Sequence, residues 1–305
     1  MTTTSLTDIP WGIHFDMPSE KYHALPGASA SILKCLWGEG ITPAHAKVKI
    51  DEGVDETDAL VRGTLIHHGI LEPGTPMPKI EIEPENYPAP PTHPQVKSGA
   101  IEAGSPLKWS NNSKICKAWH AERKASGITV LKAEQYLAVD GAVKSVSAHG
   151  TSRAYFEQGN PEVSLVLQDP ETKLPVRCRF DWLPDGPYIV DVKSCRHADR
   201  EQFTRDAYER GYHIQFALYL DLWAALAGAS DPRPRMKVVA VETSPPYAVN
   251  CFDCEDSMID RGRRTYRKLL NILARCLATG EWPAYPEGES VLGTPRFKFS
   301  NDWSE

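Results

Sequence analysis

The sequence predicts an α/β fold in which helices flank one sheet. Three short β-rich runs, 162–167, 176–183 and 188–193, follow one another as a meander, parted by the turn clusters Asp169-Pro170 and Pro184-Asp185-Gly186-Pro187. Helical periodicity precedes and follows that meander. The 305-residue chain is 41% hydrophobic and 24% charged, enough apolar material to bury a core and too much for a disordered chain.

In chain order, Pro26-Gly27-Ala28-Ser29-Ala30-Ser31 reads as a turn entering a Ser-capped helix, with Ile32, Leu33 and Leu36 at helical spacing. The start of that helix, with Ser29 and Ser31, could hold a phosphate, although plain capping explains the serines equally well. Residues 57–72 form a second helix with Leu60, Thr64, His67 and Leu71 on one stripe, which points His67 inward. Nearby Gly63 would allow another element to approach closely. From 74 to 111 Pro and Gly abound, predicting a long surface loop with room for one short strand. Helices follow at 114–125 and 133–149, the second sending Leu137, Val143 and Val146 toward a core. After the meander come a helix over 201–228, a strand at 236–243, a partner near 247–252 and an amphipathic helix over 255–279.

A net charge of −6 argues against bulk electrostatic coating of DNA, but not against a local basic track. Arg177, Arg179, Lys193, Arg196, Arg200, Arg205 and Arg210 crowd one stretch; Arg261, Arg263, Arg264, Arg267 and Lys268 crowd another, where solvated helix faces explain the charges equally well. Seven cysteines, an odd number scattered along the chain, predict no disulfide framework. Cys251 and Cys254 make a lone C-x-x-C without the second pair a zinc site needs, and read as two thiols at a strand end. No window is apolar enough to span a bilayer, and the N-terminus lacks the basic and apolar regions of a secretory signal, so a cytoplasmic setting is expected.

The chemistry gathers on the meander. Asp181 lies near the end of one strand and Asp191-Val192-Lys193 on the next, and the turn between them makes those strands neighbours. In a strand, residues two apart face the same side, so Asp191 and Lys193 project together while Val192 packs behind. Two carboxylates are hard oxygen ligands suited to magnesium, which polarises a phosphoryl oxygen and acidifies an attacking water. The neighbouring ammonium would orient that water or offset charge building on phosphorus. An ordinary salt bridge on a sheet face is the bland alternative, and D-x-K is common. An inward His67 adds an imidazole, as metal ligand or as core residue. Gln215 and Tyr219, four apart on the following helix, share a face turned toward the site.

The order and local sequence of these elements resemble the RecE-type phage exonucleases (exodeoxyribonuclease VIII) of the PD-(D/E)xK superfamily over most of the chain. The matching pieces are residues 22–31, Gly63-Thr64-Leu65-Ile66-His67 with Leu71-Glu72-Pro73, Asp169-Pro170-Glu171-Thr172 and Cys178-Arg179-Phe180-Asp181. They continue with Asp191-Val192-Lys193, His213-Ile214-Gln215 with Tyr219, and Glu281-Trp282-Pro283. The resemblance implies a restriction-endonuclease-like core with a central mixed sheet, here forming a single nuclease domain. Within it, 1–56 would be an N-terminal helical segment, 57–160 a helical part, 161–280 the catalytic sheet and helices, and 281–305 a tail. It implies that His67, Asp181 and Asp191 bind Mg2+ or Mn2+, that Lys193 serves the water, that Gln215 and Tyr219 support the site, and that Glu162 lies near the metal. Arg177, Arg179 and Arg196, with Ser29 and Ser31, are the candidate DNA contacts. Phe180 stands where the family often has proline, and His68 offers a second histidine, although register with Gly63 and Leu71-Glu72-Pro73 favours His67.

Relatives of this type digest one strand of linear duplex DNA from its 5′ end, form ring-like homo-oligomers and hand the 3′ strand to a single-strand-annealing recombination protein. Three other readings stay open. An iron–sulfur nuclease would use Cys35, Cys251, Cys254 and Cys276, although the last falls far away in a predicted helix. A catalytically silent DNA-binding or recombination scaffold would bind duplex without cutting it. A restriction-type endonuclease would cut closed circles.

Overall fold

A computed structural model describes residues 9–53, 57–228 and 235–292. The first eight residues of the expected N-terminal segment, its residues 54–56, and residues 293–305 of the expected tail lie outside these. A short strand, β1 (Gly12–His14), precedes helices α1 (Ser19–Ala24), α2 (Ala30–Cys35), α3 (Pro43–Glu52) and α4 (Asp58–Leu71). Ser29, Thr42 and Thr57 cap the last three, each side-chain oxygen accepting from a backbone N–H three residues on.

The Pro/Gly-rich stretch holds more order than expected: β2 (Ile80–Ile82), β3 (Asn86–Pro88), the one-turn α5 (Pro94–Lys97) and β4 (Pro106–Lys108). β3 and β4 pair as a hairpin, and β2 pairs in parallel with β5 (Thr129–Leu131), beyond α6 (Lys114–Ala125). Partners this distant in sequence, and strands this short, leave no local period to read. α7 (Ala133–Ala148) and α8 (Gly150–Tyr155) lead into the main sheet. On α7 Val146 is buried, but Leu137 is 58% exposed; the helix packs through Ala138, Val139 and Ala142 instead.

β6 (Gly159–Gln168), β7 (Pro175–Pro184) and β8 (Tyr188–Cys195) form the meander. They are followed by α9 (Arg200–Glu209), α10 (Tyr212–Leu226), β9 (Arg235–Glu242), β10 (Val249–Asp253) and α11 (Asp256–Thr279). The helix expected over 201–228 is therefore two, broken at Gly211, whose φ of +66° suits a residue without Cβ. The six-stranded sheet runs β1-β6-β7-β8-β9-β10 and is mixed: β8 and β9 are parallel and the other neighbours antiparallel.

Each face of this sheet carries a core. Ile189, Val238 and Ala240 pack with Leu33, Phe203, Phe216 and Leu270 under α2, α9, α10 and α11. Val190, Val192, Val239 and Val241 pack with Leu65, Ile66, Val139 and Ala142 under α4 and α7. On α4 the buried residues are Leu65, Ile66, Ile70 and Leu71, while Leu60 is 48% exposed. The inward stripe is thus rotated from the one expected, and His67 sits at its margin. A Cβ on Gly63 would meet only Ser194 Oγ at 3.6 Å, an ordinary contact, so no close approach depends on this glycine. No helix among the described residues is long and apolar enough to cross a membrane.

The sheet opens at its centre. β6 pairs with β7 along the whole strand, but β7 meets β8 only at Trp182 and Val190, and the rest of β8 turns away to follow β9. Because β6 occupies one edge of β7, Ala28 must take the other, and it does so through Ala28 N–H to Pro175 O (2.8 Å) and Arg177 N–H to Ala28 O (2.9 Å). α2, leaving from Ala28, is thereby set into the gap between β7 and β8.

Candidate active site

Strand alternation sends Val190 and Val192 into the α4/α7 core and turns Asp191 and Lys193 to the α10 side. Asp191 is fully buried, and the Lys193 ammonium pairs with its Oδ2. That oxygen has no aligned hydrogen bond, whereas Oδ1 accepts one from Gln215 Nε2 at 2.9 Å. Gln215 sits one turn before Tyr219 on α10, and the same Nε2 donates to Tyr219 Oη at 3.0 Å. Burial raises the Asp191 carboxyl to about 7, with Lys193 opposing and Asp181 adding to the rise. Burial would lower the Lys193 ammonium, but Asp191 and Asp181 beside it hold its pKa above the usual lysine value. Burial, reinforced by Asp191, keeps Tyr219 a neutral phenol.

Asp181 repairs the splay between the strands. Where β8 has left β7, the Val192 N–H donates to Asp181 Oδ2 at 2.7 Å in place of a backbone rung. His67 reaches in from α4, its Nδ1 3.6 Å from the same oxygen and its side chain 26% exposed, so it stands at the mouth rather than in the core. Glu162 lies across from Asp181, between the pairs Pro161–Trp182 and Val163–Phe180, with φ +55°. Its carboxylate pairs with Arg179, and burial with the charge of Asp181 raises its pKa. The structure thus brings His67, Glu162, Asp181, Asp191, Lys193, Gln215 and Tyr219 to one opening. His68 instead faces Glu72, Thr75 and the Pro76 carbonyl.

Residues 29–292 match the PDDEXK-like domain of unknown function DUF3799. The chain belongs to this family. In fold, this DUF3799 domain is similar to a protein from Eubacterium rectale named as a candidate exonuclease, with TM-score 0.58 and 13% identity, covering 88% of this chain and 89% of that one. Against a phage-related exonuclease from Haemophilus somnus 129PT the TM-score is 0.32, with 11% identity over 71% of this chain and 95% of that one. No curated protein matches the sequence.

Among the described residues of the DUF3799 domain, no three His, Cys, Asp or Glu side chains close into a ready-made metal cage. The donors nevertheless fit a hard divalent cation. Asp191 Oδ2 is buried without an aligned hydrogen bond, Asp181 has a second carboxylate oxygen to offer, and His67 adjoins it. Magnesium commonly takes one or two carboxylates and keeps several waters, so a closed cage is not required. Cys251 and Cys254 diverge, Cys251 packing on the α4/α7 side of the sheet and Cys254 in the opposite core, and all seven cysteines are free thiols.

Several expected DNA contacts have other partners. Arg177 is buried, donating to the Leu25 and Pro26 carbonyls and lying over the Tyr22 ring. Arg179 pairs with Glu162, donates to Met17 O and also lies over Tyr22. Ser29 is a buried cap on a six-residue helix, while Ser31 and Arg196 remain exposed. Alternating Arg-x-Arg on a strand does not reveal whether the partners will be phosphates or carbonyls.

Lys34 was absent from the expected set, yet its Nζ donates to Gln215 Oε1 at 2.8 Å. It lies 5.2 Å from the centre of the Tyr212 ring, and Lys193 lies 5.1 Å from the same ring. Burial and Lys193 lower its pKa to about 7, with Asp191 opposing.

His213, a neighbour in the same sequence motif, takes no part in the opening. It is 1% exposed, neither ring nitrogen has a hydrogen-bond partner, and it stacks on Tyr208 with ring centroids 4.9 Å apart. Burial, then Arg261 and Lys34, lower its pKa to about 4. A histidine with a depressed folded pKa leaves stability intact above the unfolded value of about 6.5 and removes it as pH falls toward the folded one. Between pH 7.5 and 5 the protein is expected to lose about 2 kcal/mol more than a His213→Phe variant, which keeps the stack. Equal losses in urea unfolding at the two pH values would refute this.

Proposed function

We propose that this chain is a divalent-metal-dependent DNA exonuclease acting at the ends of linear double-stranded DNA. In this reading it degrades one strand 5′ to 3′, works as a ring-like homo-oligomer, and leaves 3′ single strands for a single-strand-annealing recombination protein. The observation that supports the reading is the gathering of Asp181, Asp191 and Lys193 at the opening between β7 and β8, with Gln215 behind them and His67 in front. Asp181 and Asp191 would hold Mg2+ or Mn2+, with His67 beside Asp181. The ion, when bound, supplies Lewis acidity toward a phosphoryl oxygen and lowers the pKa of water.

The protein's own groups do the rest. Gln215 fixes Asp191 by holding Oδ1, and Val192 N–H fixes Asp181 by holding Oδ2, which leaves Asp181 Oδ1 for a ligand and Asp191 Oδ2 as an oxygen a ligand would share with the Lys193 ammonium. Lys193, mostly buried and anchored beside Asp191, carries a charge that does not reorganise as the phosphorus gains negative charge. It also has protons with which to orient an attacking water.

The deciding experiment digests a linear duplex labelled separately at its 5′ and 3′ ends, with magnesium or EDTA, beside a closed circle. Magnesium-dependent loss of the 5′ label from linear DNA alone is expected. Cutting of circles would make the protein an endonuclease, and retained binding without cutting would make it a scaffold.

A further inference from the structure

We infer that Lys34 is a positioning residue of this site: by donating to Gln215 Oε1 it determines which end of the Gln215 amide faces Asp191. A carboxamide is nearly symmetric in shape, so packing alone does not choose between its two orientations. In the observed one, Nε2 donates to Asp191 Oδ1 and to Tyr219 Oη, and Oε1 receives Lys34. Turning the amide over would set its oxygen against the Asp191 carboxylate and its NH2 against an ammonium. Tyr219 does not discriminate, because a phenol can donate or accept. A protonated lysine has donors and no acceptor, so Lys34 in that state specifies the orientation from the far side, as the Asp191 carboxylate does from the near side.

A merely structural role explains this lysine poorly. Among the described residues it forms no ion pair with a carboxylate, and its one side-chain hydrogen bond goes to the Gln215 amide. Its ammonium shares the Tyr212 ring with Lys193, so two like charges stand close together. A methionine there would relieve that repulsion at equal volume. Nor does α2 need Lys34 to dock: the Ala28 rungs on β7 and the fully buried Leu33 already place the helix. What the lysine adds is a defined amide, and through it a defined Asp191. The importance of this for cleavage rests on the nuclease reading above; the orientation itself does not.

The test uses Lys34→Met, Lys34→Arg, Gln215→Met and the double Lys34→Met/Gln215→Met variant. In metal-free, nitrogen-15-glutamine-labelled protein, the Gln215 side-chain amide signal is identified by its loss in Gln215→Met. In Lys34→Met this signal is expected to shift and its protons to exchange with water about tenfold faster or more, with Lys34→Arg restoring the original behaviour. An unchanged amide in Lys34→Met overturns the inference. In cleavage, Lys34→Met is expected to lower kcat roughly 10- to 100-fold with KM for DNA held within about twofold. The double variant is expected to be no worse than Gln215→Met, since both act through one amide. Additive losses, or a large rise in KM, would mean that Lys34 contacts DNA directly. A wild-type protein that cuts nothing would sink the nuclease reading and leave the amide signal to decide the inference.

Discussion

Lys193→Met is expected to reduce cleavage by roughly 100- to 1,000-fold, the usual consequence of removing one preorganised charge from a phosphoryl- or acyl-transfer site. The substitution keeps the volume of the stem and removes only the ammonium, which is paired with Asp191 in a site where the lysine side chain is 14% exposed and the aspartate fully buried. The same change has a second, metal-independent signature. A carboxyl whose folded pKa is raised contributes stability that is complete below its unfolded value and is lost as pH rises through the folded one. For Asp191 that window runs from 3.8 to about 7 in the native protein, with Lys193 the largest force restraining the rise. Without the ammonium the window extends upward, so in EDTA the variant is expected to lose stability between pH 7 and 9, where Asp191 in the native protein contributes little further change. Adding Asp191→Asn is expected to abolish that extra loss. Wild-type cleavage rates in Lys193→Met would remove the lysine from the mechanism, and parallel stability profiles would show that the pair is not coupled.

Legibility followed the range of the interactions. Asp191 and Lys193 were readable because a two-residue period depends only on the strand, and Gln215 with Tyr219 because a four-residue spacing depends only on the helix. The β6–β7–β8 order was readable because tight turns make sequential strands neighbours. Lys34 was not readable: it meets Gln215 across 181 residues, and only because β8 leaves β7 and α2 enters the gap. The stripe on α4 held at Leu71 but not at Leu60, for a related reason. Leu60 and Leu71 fit a helical period, but the face that is buried was set by where β8, β9 and α7 lie, and Ile66 and Ile70 won that contact. Arg177 and Arg179 show the limit of charge counting. A run of arginines on a strand resembles a phosphate track until Tyr22 and the carbonyls of residues 17, 25 and 26 occupy it.

Gly262→Ala is expected to destabilise the protein by about 3 kcal/mol or more, at the upper end of overpacking effects. α10 and α11 cross at this glycine, where an added Cβ would lie 1.9 Å from the His213 carbonyl oxygen, 2.6 Å from its carbon and 2.9 Å from Ala217 Cβ. Two of those atoms belong to the α10 backbone, so no rotamer change relieves the clash and the helices must move apart. α11 is held by Ile259, Tyr266, Leu269, Leu270 and Leu273, all buried, and separation opens that seam. Gly63→Ala supplies the contrast. Its Cβ would meet only Ser194 Oγ at 3.6 Å, and in the middle of α4 the substitution is expected to be neutral or to stabilise by up to about 1 kcal/mol through helix propensity. Urea unfolding of the two variants measures both effects, and a Gly262→Ala protein as stable as the parent would mean that α10 and α11 do not pack this closely. The consequence reaches the site, because His213 is only two residues from Gln215. A displaced α10 carries the amide away from Asp191, so the folded fraction of Gly262→Ala is expected to cleave more slowly than its stability alone accounts for.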